Sequence, residues 1–304
     1  MNKNTTNKTL VVVAGPTASG KTSLAIKLAK SLNTEIVSAD SRQFYREIKI
    51  GTAAPTKEEL QEAKHHLIGN LSIHDYFNVF QFEQEALSCI NNIFESNDYA
   101  VMVGGSGLYL DAVCNGIDNI PDCPQELRNQ LQNDYTTEGL KFILDKLKQL
   151  DPEYYEIVDK QNPKRILRAL EVCLVSGKTY SSFRQYKPKE RPFNIKKIGL
   201  LWDRPELVDR IHQRVDMMLE EGLLDEVKSM YPHKNLNSLN TVGYKELFDH
   251  FDNKCTFEFA IEKIKTNTRR YAKRQMTWFR KDKKIQWFHP NEYEEIIKFV
   301  SSKD

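Results

Sequence analysis

The chain has 304 residues, with 44 Lys and Arg against 42 Asp and Glu and a formal net charge of +2. That balance excludes a uniformly basic nucleic-acid-binding coat and leaves room only for local cationic patches. The 40% hydrophobic content suits a globular core of one or two domains, while no apolar run approaches the ~20 residues that span a bilayer.

Cys89, Cys114, Cys123, Cys173 and Cys255 are scattered with no C-x-x-C pair, which argues for reduced thiols over a disulfide framework or a zinc site. The polar start, Met1 to Lys8, leads into a strand pattern with no signal peptide, so a cytoplasmic protein is expected.

Leu10-Val11-Val12-Val13-Ala14 predicts a buried strand and Ser23 to Ala29 a helix. Between them, Gly15-Pro16-Thr17-Ala18-Ser19-Gly20-Lys21-Thr22 fits G-x-x-x-x-G-K-[ST]. Glycines let the backbone curl so that successive amides face one cup, and the helix N-terminus adds partial positive charge there. Lys21 supplies a mobile cation, and the Thr22 hydroxyl a ligand for Mg²⁺ or a phosphate oxygen. The pattern predicts a bound di- or triphosphate without saying which. A plain structural turn is the competing explanation, disfavoured by the strand and helix on either side.

Glu35-Ile36-Val37-Ser38-Ala39-Asp40-Ser41 is a short strand ending in polar residues. Ligands of open parallel sheets sit beyond the carboxyl ends of strands, which puts Asp40 near the loop's cargo. It reads equally as a turn or N-cap aspartate. Residues 42–80 look irregular, with a turn at Gly51-Thr52-Ala53-Ala54-Pro55. His65-His66 invites a metal, but adjacent side chains diverge in either regular structure.

Phe82, Ala86, Ile90 and Ile93 recur at helical spacing, and Tyr99 to Val103 is a buried strand running into Gly104-Gly105-Ser106-Gly107-Leu108-Tyr109. Such a turn brings amides and the Ser106 hydroxyl to the same sheet edge, although close strand-to-helix packing also wants glycine. An ordinary P-loop ATPase has an Mg²⁺-holding aspartate where this strand has glycine. Asp203, after the strand Ile198 to Trp202, serves equally as a helix cap. The chain therefore resembles a phosphate binder that is neither motor nor switch.

From 114 to 192, prolines punctuate about four helical patterns and no strand is evident; a strand at 196–202 then resumes. Between 160 and 189, Lys160, Lys164, Arg165, Arg168, Lys178, Arg184, Lys187 and Lys189 stand against Glu171 alone. Tyr180, Phe183 and Tyr186 are interleaved with them, which suits RNA, whose bases stack on rings. Arg210 and Arg214 then share one helix face, where they fork onto a pyrophosphate or pair with Glu206 or Asp216. A second basic stretch at 258–284 predicts a long helix with a cationic flank, followed by a strand at 285–288 and a helix at 291–301. The predicted fold is α/β: a P-loop NTPase-like parallel-sheet core (1–113 and 193–304) with an all-helical insertion domain (114–192).

Seven of these motifs occur in an order that resembles the tRNA dimethylallyltransferase (isopentenyl-diphosphate:tRNA transferase) family, from near residue 10 to near 290. They are Gly15 to Thr22, Ser38 to Tyr45, Gly51 to Ala53, His65 to Ile68, Gly104 to Tyr109, Val242-Gly243-Tyr244-Lys245-Glu246, and Arg274 to Arg280. The resemblance implies transfer of a dimethylallyl group from its diphosphate to the exocyclic amine of the adenine 3′ of the anticodon. The phosphate loop then holds a pyrophosphate leaving group. Its charge is stabilised by loop amides, Lys21, Thr22 with Mg²⁺, and Arg214, while Asp40 accepts the amine's proton.

The family further implies that Asp40, Ser41, Arg42, Gln43 and Ser106 meet the everted adenine and its neighbours. Ser106 stands where the family more often has threonine. Gln161-Asn162-Pro163-Lys164-Arg165 and Arg128 of the insertion, with Lys273 and Arg274 of the second basic stretch, would contact the tRNA anticodon stem-loop. The partners implied are tRNA and dimethylallyl diphosphate, with no membrane and a monomeric enzyme. No cysteine pair is present to build the zinc finger of eukaryotic relatives, which points to a bacterial type. The rivals are a small-molecule P-loop kinase, an adenylate isopentenyltransferase and a non-catalytic RNA-binding protein.

Overall fold

The computed structural model describes residues 7–184 and 187–302, so the polar start through Thr6 and Tyr186 of the first basic stretch lie outside it. Two compact units emerge, residues 1–115 with 190–304 and residues 116–189.

The first unit is built on six parallel strands. They are β1 (Thr9–Ala14), β2 (Ile36–Ser38), β3 (His65–His66), β4 (Tyr99–Gly104), β5 (Asn194–Leu200) and β6 (Ile285–Phe288), in the order β3-β2-β4-β1-β5-β6. β1 is central, paired Ala14 to Gly104 on one side and Ala14 to Gly199 on the other. Both its faces are buried, so its sequence is continuously apolar. Leu10 and Val12 pack under α3 (Val79–Ser96) and α4 (Gly107–Asn115), whereas Val11 and Val13 pack under α1 (Lys21–Ser31) and α13 (Tyr293–Ser301). The α/β expectation holds.

Residues 42–80 are less irregular than their sequence suggests. Helix α2 (Lys57–Glu62) is set by a capping box in which Thr56 accepts from the Glu59 amide and the Glu59 carboxylate accepts from the Thr56 amide. β3 is only two residues long, too short to carry a periodicity. Its His66 pairs with Glu35 and the His65 ring bonds the Ala63 carbonyl. Among the described residues, no group of three or more His, Cys, Asp and Glu side chains could hold a metal.

After β5 the chain adds a helical layer: α9 (Arg204–Glu220), α10 (Leu223–Met230), α11 (Tyr244–Phe251) and α12 (Phe257–Phe279). These helices share a core with Tyr45 and Ile48, which follow β2, and with Ile73, which follows β3. Helix α10 is invisible to periodicity because it follows α9 after a single turn, at Gly222 with φ 100°.

The second unit contains α5 (Gln125–Leu150), kinked at Gly139, then α6 (Pro152–Ile157), α7 (Pro163–Ser176) and α8 (Tyr180–Phe183). Its organising group is the fully buried Asp151, which caps α6 through the Tyr154 amide and accepts from the amide and hydroxyl of Ser181. No helix among the described residues is long and apolar enough to cross a membrane.

The sheet brings the turns after β2 and β4 together by a close approach at Gly104. A Cβ there would stand 2.2 Å from the Ala39 carbonyl oxygen, while the Ala39 amide donates to Val103 at 2.7 Å. Gly104→Ala is expected to destabilise the protein by about 1–3 kcal/mol or more through overpacking. A drop in Tm on thermal denaturation checks this, and an unchanged Tm contradicts it.

Candidate functional site

The phosphate-loop sequence forms a braced turn between β1 and α1. Gly20, at φ 85°, opens the helix without a side-chain cap, so the first amides of α1 remain free of intrahelical partners and aligned with the helix dipole. Ala18 occupies the left-handed region at φ 62°, a conformation that costs a non-glycine residue about 1 kcal/mol or more. Side chains from three elements hold it there. Arg210 donates to the Ala18 carbonyl at 2.8 Å, Trp202 to the Ser19 carbonyl at 2.9 Å, and Lys21 to the Pro16 carbonyl at 2.5 Å. Arg210 also stacks on Trp202, 4.3 Å from the ring centre. The buried Ser19 hydroxyl lacks a hydrogen-bond partner, an orphan that a phosphate oxygen would satisfy.

Gln275 of α12 was missed by sequence reasoning, which placed it only within a motif. Its Oε1 accepts from the Thr17 amide at 2.8 Å, and its Nε2 donates to the Gly105 carbonyl at 2.8 Å. That side chain explains the glycine-rich turn. A Cβ on Gly105 would meet Gln275 at 2.3 Å, and one on Gly107 would meet the Trp278 ring at 2.4 Å. The two glycines are there for packing.

Lys21, Arg214 and Asp40 lie within electrostatic reach of one another. Desolvation, then repulsion from Arg214, pushes the Lys21 ammonium down to about 7, against the opposing pull of Asp40. Desolvation also lowers Arg214, whose largest compensating charge is Asp40. Of the two helix-face arginines, Arg214 reaches this cluster while Arg210 is committed to the loop carbonyl. Thr22 sits beside Lys21 in the first turn of α1.

Asp40 opens the turn after β2, and its Oδ1 accepts from the Arg42 amide at 2.9 Å. Ser106 meets it across the turn, accepting from the Ser41 amide at 3.1 Å and donating to the Ser41 hydroxyl at 3.2 Å. Tyr271 of α12, also unforeseen, lies beside Ser106. Burial first, then the charge of Asp40, pushes its phenol up to about 12. Gln43 is committed to the protein: its amide donates to the Thr52 and Ala53 carbonyls and accepts from Ser38.

Beside this turn opens a cleft of about 610 Å³ lined by Ser41, Arg42, Lys245, Phe259, Tyr271 and Arg274, among others. Lys273 is exposed next to Arg274 on α12, whose guanidinium lies 5.7 Å from the Tyr271 ring centre. The remaining expected contacts belong to the helical unit. Asn162 caps α7 by accepting from the Arg165 amide and Pro163 follows at its first position, while Gln161, Lys164 and Arg165 are exposed. Arg128 pairs with Asp122 and Glu171.

A lysine near 7 gives the free site a measurable signature. A bound diphosphate raises the pKa of Lys21, so binding takes up about one proton at pH 8–9 and much less at pH 6, where Lys21 is already charged. Calorimetric titration with pyrophosphate in buffers of different ionisation heat reads this uptake, and Lys21→Met is expected to abolish it. Heats independent of buffer would remove Lys21 as the titrating group.

A family model described as IPP transferase matches residues 43–282. The chain is 52% identical to tRNA dimethylallyltransferase 1 of Bacteroides fragilis, covering 98% of this chain and 99% of that protein. It is 53% identical to tRNA dimethylallyltransferase 1 of Bacteroides thetaiotaomicron, with 96% and 95% covered. Among solved structures, the full-length tRNA isopentenylpyrophosphate transferase of Bacillus halodurans is similar with a TM-score of 0.71 at 38% identity, covering 97% of this chain and 96% of that one. A eukaryotic dimethylallyltransferase acting on tRNA gives a TM-score of 0.80 at 26% identity, over 98% of this chain and 80% of that one.

Proposed function

The chain belongs to the IPP transferase family, and from that membership we infer an enzyme that transfers a dimethylallyl group to tRNA. The group leaves dimethylallyl diphosphate and joins the exocyclic N6 amine of the adenine 3′ of the anticodon, releasing diphosphate. The observation that carries the mechanism is the cluster of Asp40, Lys21 and Arg214 at the mouth of the phosphate loop.

Each residue type answers one demand of the reaction. The allylic C1–O bond breaks as C1–N6 forms, and negative charge gathers on the departing diphosphate. The amides of Ala18 to Thr22, the Ser19 hydroxyl, Lys21 and Arg214 receive that charge in a desolvated site, where fixed dipoles and cations act most strongly. Arg214 stays charged throughout and offers a planar fork to two phosphate oxygens. The amine loses a proton as it bonds to carbon, and Asp40 accepts it. Ser106, fixed by Ser41 beside Tyr271, contacts the purine edge; Ser41 and Arg42 flank it.

The donor set suits Mg²⁺ as a partner of the substrate, since among the described residues no group of three or more His, Cys, Asp and Glu side chains could hold it and Thr22 offers a single hydroxyl. Bound there with diphosphate oxygens, the ion would act as a Lewis acid on the leaving group. Lys273 and Arg274, with Arg128 and Gln161 to Arg165 of the helical unit, would hold the anticodon stem-loop. A monomeric enzyme acting in the cytoplasm belongs to the same reading.

Incubation with radiolabelled dimethylallyl diphosphate and either unmodified tRNA or AMP separates this reading from its rivals. Label in tRNA supports it, label in AMP indicates a free-nucleotide prenyltransferase, and ATP turnover without prenyl transfer indicates a kinase. Asp40→Asn is expected to keep tRNA affinity and lose about 10²–10⁴-fold in single-turnover rate, the range for a missing general base. An unchanged rate would remove Asp40 from the proton transfer.

A further inference from the structure

Two of the seven motifs, Gly51 to Ala53 and Val242 to Glu246, contribute no charged group to the phosphate loop. They meet at Glu226 of α10. Its Oε2 accepts from the Ile50 amide at 2.8 Å, and its Oε1 accepts both from the Gly51 amide at 2.9 Å and from the Tyr244 hydroxyl at 2.5 Å. Tyr244 is fully buried, and a Cβ on Gly51 would lie 2.5 Å from its ring, so the loop lies flat against the phenol. Burial and the adjacent Glu226 carboxylate hold the phenol protonated, and hence a donor.

The next two carbonyls of that loop are the ones that fix Gln43. Thr52 and Ala53 accept its Nε2 at 3.2 and 2.9 Å, and Ser38 donates to its Oε1 at 3.2 Å. This pattern uses both amide donors and the amide oxygen, which sets the side chain in one orientation. Gln43 lies within the turn that begins at Asp40, and its own carbonyl accepts from the Gly69 amide. A second link runs from Arg42 to the Asn240 carbonyl at 3.4 Å, just ahead of α11. A continuous set of bonds therefore joins Glu226 to the segment carrying the carboxylate.

We propose that Glu226 is a positioning residue for the proton-accepting turn, acting through Tyr244, the 50–53 loop and Gln43. Gln43 is then a strut of the site, and its amide does not read the adenine. The inference rests on the proposed reaction, because it assigns Glu226 to the acceptor end of it. The phosphate loop is braced separately, by Gln275, Arg210 and Trp202. Damage to the Glu226 network should accordingly spare the diphosphate.

Glu226→Gln leaves one of the two loop amides facing an NH₂ group. Its expected single-turnover rate at saturating substrates is of order 10- to 100-fold below wild type, the scale of a misplaced reacting group. Pyrophosphate affinity should stay within about twofold of wild type. Tyr244→Phe, which removes one hydroxyl, should show a smaller loss of the same kind and carries the test if Glu226→Gln fails to fold. In a Gln43→Ala background, Glu226→Gln should cost about twofold or less, because the strut it acts through is gone.

A wild-type rate in folded Glu226→Gln overturns the proposal. So do fully additive losses with Gln43→Ala, pyrophosphate affinity lost in step with rate, or an unfolded Glu226→Gln alongside an unaffected Tyr244→Phe. Wild-type protein that transfers no label to tRNA would instead sink the proposed function itself.

Discussion

One buried side-chain amide joins the two glycine turns of the site. Gln275 is 6% exposed, and burial of an amide is costly unless its donors and acceptor are used. Its oxygen takes the Thr17 amide of the phosphate loop, and its nitrogen takes the Gly105 carbonyl at the end of β4. The donor at Thr17 admits only one orientation of the amide. Through this contact α12 fixes the distance between loop and turn, and the same helix brings Tyr271 against Ser106. The glycines at 105 and 107 follow from the closeness of that packing.

Electrostatics divide the site into complementary halves. Desolvation lowers both Lys21 and Arg214, and Asp40 is the largest opposing charge for each. A cluster with surplus buried cation is strained when empty and relieved by a polyanion. In the proposed reaction, diphosphate would supply that relief at the phosphate loop and leave the Asp40 carboxylate to face the other reactant. Cations alone would suit any phosphate ligand. The adjacent carboxylate makes the arrangement suited to a nucleophile that must shed a proton.

The parallel core and the phosphate loop were legible in the sequence because their signals are local. A continuously apolar strand, a spaced glycine pair and a helix pattern sit within about twenty residues. Long-range contacts were not legible. Gln275 is 258 positions from Thr17, and Glu226 is 176 from Ile50; neither distance leaves a periodicity. Helix α2 escaped notice for another reason: its six residues bury no apolar face, and only the capping box of Thr56 and Glu59 marks it. Gly51 and Tyr244 were visible as motif members, yet their shared purpose appears only when the ring is seen lying where a Cβ would go.

The two halves of the site are also held by different parts of the chain. The phosphate end leans on α9, α12 and Trp202, which reach carbonyls or amides of residues 17–19. The proton-accepting end leans on α10, α11 and the 50–53 loop, which share a hydrophobic core with Tyr45, Ile48 and Ile73. Separate supports have a physical consequence for a two-substrate reaction. Filling the phosphate loop reorders charge around Lys21 without loading the bonds that fix Gln43, and a base entering near Ser106 need not disturb the loop carbonyls. Rigid packing within each support keeps a carboxylate and a cation cup aligned even though the two reactants differ greatly in size and charge.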